Sequence, residues 1–134
     1  MNNNKPALLI EDNPMIRCIH QRYLEKLGFI VDQASSQLQA LTQAFNQRYR
    51  LILTDLGLPD SQNETIISQL RSTFSLNQRT SLVVVTAHHN ACLIRRCLKA
   101  GAQAVLSKPL CPDQLAELIH TFEHNKTNLG AVYA

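Results

Sequence analysis

The chain has 134 residues, 45% of them apolar and 17% charged, which suits one hydrophobic core and is a globular rather than a disordered balance. Its formal net charge of +3 arises from scattered Lys and Arg with no Trp, which argues against a nucleic-acid surface. No apolar run approaches the roughly 20 residues that cross a bilayer, and the opening MNNNKP lacks the apolar stretch of a signal peptide, so a soluble cytoplasmic domain is expected.

The first short apolar run, Ala7–Ile10, reads as a buried strand that stops at Glu11-Asp12. Ile16, Ile19, Tyr23 and Leu27 then recur at helical spacing, and Gly28 ends that helix. A weaker strand, Ile30–Ala34, precedes a second helical stripe of Leu38, Leu41 and Phe45. Leu51–Thr54 is a near-continuous apolar run that ends at Asp55, with Gly57 and Leu58-Pro59 turning the chain away. Ile66, Ile67, Leu70 and Phe74 mark a third helix, and Leu82–Thr86 a fourth strand. Leu93, Ile94, Cys97 and Leu98 precede the stop Gly101. The fifth strand, Ala104–Leu106, runs into Lys108-Pro109, and a last helix carrying Leu115, Leu118, Ile119 and Phe122 begins after Pro112. Asn125–Ala134 carry no further pattern, so one domain over residues 1–124 and a loose tail over 125–134 are expected.

Strands alternating with helices imply a parallel sheet with right-handed crossovers, an α/β doubly wound fold. Ligands in such a sheet bind beyond the carboxyl ends of the strands. Here those ends carry Glu11, Asp12, Asp55, Thr86 and Lys108. Two carboxylates at ~4 Å repel by roughly 4 kcal/mol at an effective dielectric near 20, so such a cluster calls for a cation. An all-oxygen site with open positions suits Mg²⁺. Lys108 adds a positive charge and Thr86 a hydroxyl donor, the parts that stabilise a phosphoryl group in transfer. Asp55 is the candidate nucleophile. Singly, each of these residues has an ordinary role as a helix cap, turn residue or solvated lysine; their meeting on one edge is what those roles explain badly. Cys18, Cys92, Cys97 and Cys111 form no CxxC pair, and the five histidines do not cluster with them, so no metal site is expected on either.

Four motifs in order, LLIEDN, LILTDLGLPD, VVVTAH and LSKPL, resemble the receiver (response-regulator) domain of two-component signalling over residues 6–124. The resemblance implies a flavodoxin-like (βα)₅ fold with strand order 2-1-3-4-5. It implies that Asp55 accepts a phosphoryl group from a phosphohistidine, with Mg²⁺ held by Asp12, Asp55 and the Gly57 carbonyl, and by Glu11 through water. Thr86 and Lys108 would bind the acyl phosphate, and the Lys108–Pro109 bond would be cis. On phosphorylation Thr86 would move toward the new oxygens, and the shift would be read on the fourth helix, fifth strand and fifth helix. Two positions depart from the family: Val105 stands where an aromatic is usual, and Asn63 where a glycine is usual.

DLGLPD, VVVTAHH and CLKAGAQAVLSKPL are most similar to receivers of hybrid sensor histidine kinases. That likeness implies a phosphorelay whose partners are a kinase histidine and a histidine-phosphotransfer domain, docking near Ile16 and Ile19. It also allows a cytosolic part of a membrane-anchored sensor, with no nucleic-acid or membrane contact by the domain itself. Ten residues follow the last helix, so no effector is expected within this chain. The domain would catalyse only its own phosphotransfer and dephosphorylation. The alternative is a stand-alone single-domain regulator acting through protein contacts. An aspartyl phosphohydrolase of the haloacid-dehalogenase type would want a second Asp where Gly57 stands, and neither GxxxxGK[ST] nor GxGxxG occurs.

Overall fold

Runs rich in Val, Ile and Leu form the strands, because side chains on both faces of a parallel sheet must be buried. The computed structural model describes residues 5–61, 64–124 and 132–133. The elements are β1 (Pro6–Ile10), α1 (Pro14–Lys26), β2 (Ile30–Ala34), α2 (Gln37–Asn46), β3 (Leu51–Asp55), α3 (Thr65–Leu70), β4 (Ser81–Thr86), α4 (Ala91–Ala100), β5 (Ala104–Ser107), α5 (Pro112–His124) and β6 (Val132–Tyr133). The sheet order is β2-β1-β3-β4-β5-β6 with every pair parallel, so the expected 2-1-3-4-5 order holds. The described residues add a short sixth strand, in which Val132 pairs with Ala104 and Tyr133 with Val105. Two residues are too few to show a period of two in sequence. Residues 125–131 and 134 lie outside the described residues, as do Gln62 and Asn63. No helix among the described residues is long and apolar enough to cross a membrane.

Alternate residues of the central strands feed two cores. Leu8, Ile10, Ile52, Leu82 and Val84 pack with Ala40 and Ala44 of α2, Ile66, Ile67 and Leu70 of α3, and Leu93, Ile94 and Cys97 of α4. Leu9, Leu51, Leu53, Val83 and Val85 pack on the other face with Leu24 of α1 and Leu115, Leu118, Ile119 and Phe122 of α5. The stripes read for α4 and α5 are therefore the buried ones, with Leu98 partly buried.

Three stripes need correction. In α1 the buried residues are His20 and Leu24, while Ile19 is 42% exposed. In α2 they are Ala40 and Ala44, while Leu38 is 71% exposed. Alanine at both contact positions lets α2 lie close to the sheet, a fit that a count of large side chains misses. Helix α3 ends at Leu70, so Phe74 falls beyond it and is 84% exposed.

A buried amide joins the turns at the edge opposite the carboxyl ends of the strands. Asn77 has no exposed surface. Its Oδ1 accepts from the Tyr49 N–H at 2.7 Å and the Thr80 hydroxyl at 2.8 Å. Its Nδ2 donates to the carbonyls of Ala44 and Gln47 at 2.7 and 2.9 Å. Asn77→Ala strands several buried polar groups at once and is expected to cost about 3 kcal/mol of stability. Urea denaturation reads this directly; a loss under about 1 kcal/mol would show that these bonds are not what holds the turns.

Candidate functional site

Each strand of the central trio delivers its polar terminus to one edge. The turn after β1 is fixed by Asn13, whose Oδ1 accepts from the backbone N–H groups of Met15 and Ile16 at 2.9 and 3.1 Å, capping α1. Arg17 Nη1 donates to the Glu11 carbonyl at 2.8 Å, and the Asn13 N–H donates to Glu11 Oε2 at 3.2 Å. Glu11 is thereby turned inward and left 2% exposed, with Asp12 beside it in solvent. Asp55 ends β3, and Gly57 keeps the space next to it open: a Cβ at Gly57 would lie 3.3 Å from Asp55 Oδ2. The turn beyond is tied down by Asp60, whose carboxylate accepts from the N–H groups of Gln37 and Leu38 at 2.7 and 3.1 Å.

Carboxylate oxygens of Glu11, Asp12 and Asp55 lie within 4.8 Å of one another. Lys108 reaches them from beyond β5, with Nζ 3.0 Å from Glu11 Oε1 and 3.3 Å from Asp55 Oδ1. The Lys108–Pro109 bond is cis. One ammonium among three carboxylates leaves two negative charges uncompensated, the charge complement of a divalent ion. Burial, and next the charge of Asp55, raise the Glu11 carboxyl above its ordinary value despite the Lys108 hydrogen bond. Burial by itself would lower the Lys108 ammonium, but the Glu11 hydrogen bond and the charges of Asp55 and Glu11 outweigh it and raise the pKa. Thr86 is 3% exposed and its Oγ1 accepts from the His88 N–H at 3.0 Å. Asp55, Gly57, Ser61, Thr86, His88 and Lys108 line one cleft. Glu11, Asp12, Asp55, Gly57, Thr86 and Lys108 all lie at this edge, whereas Asn63 falls outside the described residues.

Residues 7–120 match the family model described as response regulator receiver domain. The chain belongs to the receiver family. It is 33% identical over 110 residues to the sensor protein EvgS of Escherichia coli and 35% identical over 110 residues to the sensor histidine kinase AruS of Pseudomonas aeruginosa. Each match covers 81% of this chain but only 9% and 11% of those proteins, so the chain spans about a tenth of these relatives. Among solved structures it is similar to the receiver domain of a sensor histidine kinase from Pseudomonas aeruginosa, with a TM-score of 0.80 and 28% identity over 91% of this chain and 99% of that one. That structure carries a magnesium ion in its active-site cleft.

Two histidines of this receiver were not singled out in sequence. His89 Nε2 lies 3.3 Å from the Val105 carbonyl oxygen, linking the turn after β4 to β5. Val105 itself is fully buried in the core. His20 is 5% exposed, and its pKa is pushed down from 6.5 to about 4, by burial first and then by the charge of Lys108. The unfolded chain takes up this proton near 6.5, while the folded one resists until about 4, so stability is lost as pH falls through that window. At about 1.4 kcal/mol per unit the loss approaches ~3 kcal/mol. His20→Phe should flatten the stability profile across that window; an unchanged slope in urea titrations would reject the assignment to His20.

Proposed function

We propose that Asp55 accepts a phosphoryl group from a phosphohistidine in a Mg²⁺-dependent reaction, and that the chain relays it within a hybrid-kinase phosphorelay. The observation that carries this reading is the Glu11–Asp12–Asp55 cluster with Lys108 bridging two of its members. Asp12, Asp55 and the Gly57 carbonyl would hold Mg²⁺, with Glu11 behind them through water. Bound there, the ion supplies positive charge for the phosphoryl oxygens.

The chain's own groups supply the rest. A carboxylate oxygen of Asp55 attacks phosphorus, the P–N bond breaks, and its electron pair stays on the departing imidazole nitrogen. Lys108, held beside Asp55 by Glu11, neutralises charge on the acyl phosphate. The Thr86 hydroxyl, in the same cleft, donates to a phosphoryl oxygen once it turns from its local bond. Receivers of hybrid kinases work with histidine kinases and phosphotransfer domains, and the likeness to EvgS and AruS supports that class of partner here. Met15 and Ile19, both exposed on α1, give such a partner an apolar landing beside the site. The receiver unit then runs to the end of α5, residues 1–124.

Asp12→Ala removes one exposed metal ligand without disturbing the core, and Mg²⁺ binding should weaken at least tenfold. Titration calorimetry against wild type reads the change; an unaltered magnesium isotherm would remove Asp12 from the site.

A further inference from the structure

Helix α5 carries a second set of metal-binding groups, far in character from the oxygen cluster. His120 and His124 are four residues apart, both are exposed, and their ring centroids lie 4.0 Å apart. Side chains at i and i+4 share one helix face. Imidazole nitrogens bind a divalent transition metal at about 2.0–2.1 Å, so two of them on one ion stand about 3 Å apart. Rings with centroids 4.0 Å apart reach that spacing by rotation about the side-chain bonds.

The turn that carries them is held from behind. Phe122 is buried in the core shared with β1, β3 and β4. Glu123 pairs with Lys5 at 3.2 Å and with Arg50 at 3.7 Å, anchoring the end of α5 beside β1 and β3. The backbone under both rings is therefore fixed before any ion arrives, which lowers the ordering cost of binding.

We propose that His120 and His124 form a two-imidazole site for a divalent transition-metal ion, with water completing the shell. Imidazole suits Zn²⁺, Cu²⁺ and Ni²⁺, whereas the carboxylate cluster at Asp55 suits Mg²⁺, so the two sites fill independently. Affinity should follow the usual order, with Cu²⁺ tightest and Mn²⁺ weak. The bound ion would clamp the last turn of α5 just before the chain runs to β6. The spacing was legible in sequence, but a search for histidines near cysteines passes over a site built from one helix face.

The test is Ni²⁺ titration of the full chain in saturating Mg²⁺, with the thiols alkylated, followed by calorimetry and by paramagnetic broadening of amide resonances. The expected result is one Ni²⁺ per chain, broadening confined to the last turns of α5, and at least tenfold weaker binding in His120→Asn and in His124→Asn. Both side chains are exposed, so circular dichroism should show the variants folded. Binding unchanged by both substitutions, no binding by wild type, or broadening centred on Asp55 would overturn the site. None of these outcomes bears on phosphate transfer to Asp55.

Discussion

Asp55→Asn should take up no phosphate from a phosphorylated histidine-phosphotransfer partner or from a small phosphodonor with Mg²⁺, under conditions where wild type is labelled. The amide keeps the size of the side chain but loses the anionic oxygen that attacks phosphorus. Its fold should be intact, because Asp55 adds repulsion to Glu11 as well as an ion pair with Lys108. Without the Asp55 charge the raised Glu11 pKa should fall back toward its ordinary value. Intact-mass measurement after incubation separates the outcomes. Equal labelling of the variant would place the acceptor elsewhere.

Lys108→Met should have the next largest effect, on stability as well as transfer. The methylene stem is kept, but the cation between Glu11 and Asp55 is gone. Breaking a buried pair leaves an uncompensated charge, at a cost of about 3 kcal/mol near neutral pH. In wild type the raised Lys108 pKa means its contribution is complete at neutral pH and is lost only as pH climbs beyond 10.5. Glu11 behaves in the opposite range: a carboxyl with a raised folded pKa favours folding below 4.5 and ceases to as pH rises through its folded value. Removing Lys108 raises Glu11 further, so the variant should regain stability relative to wild type on acidification. Mg²⁺ should also restore part of it, by supplying the missing positive charge. Urea denaturation across pH, with and without Mg²⁺, reads both effects. A variant as stable as wild type at every pH would mean that the 3.0 Å contact contributes little.

Glu11, Asp12, Asp55, Thr86 and Lys108 were legible because each follows an apolar run that only a buried strand explains, and parallel strands send their ends to one edge. The strand order came instead from the resemblance to receivers, and β6 extends it. Helix faces were harder. The contact residues of α2 are Ala40 and Ala44, small side chains that carry little hydrophobic signal. His20 reads as polar in sequence, yet Leu24 one turn on draws that face of α1 into the core. Asn77 joins backbone groups from Ala44 to Tyr49, some 30 positions away in the chain, and no local pattern announces such a contact. Phe74 failed for the converse reason, since α3 stops after six residues and releases it to solvent.

The most direct measurement is mass spectrometric mapping of the peptide that spans Leu51–Pro59 after incubation with a phosphodonor. One phosphoryl group on Asp55, gained only when Mg²⁺ is present and absent after chelation, is the predicted result. An unmodified Asp55 with every donor tried, or a phosphoryl group found on another residue, would contradict the account.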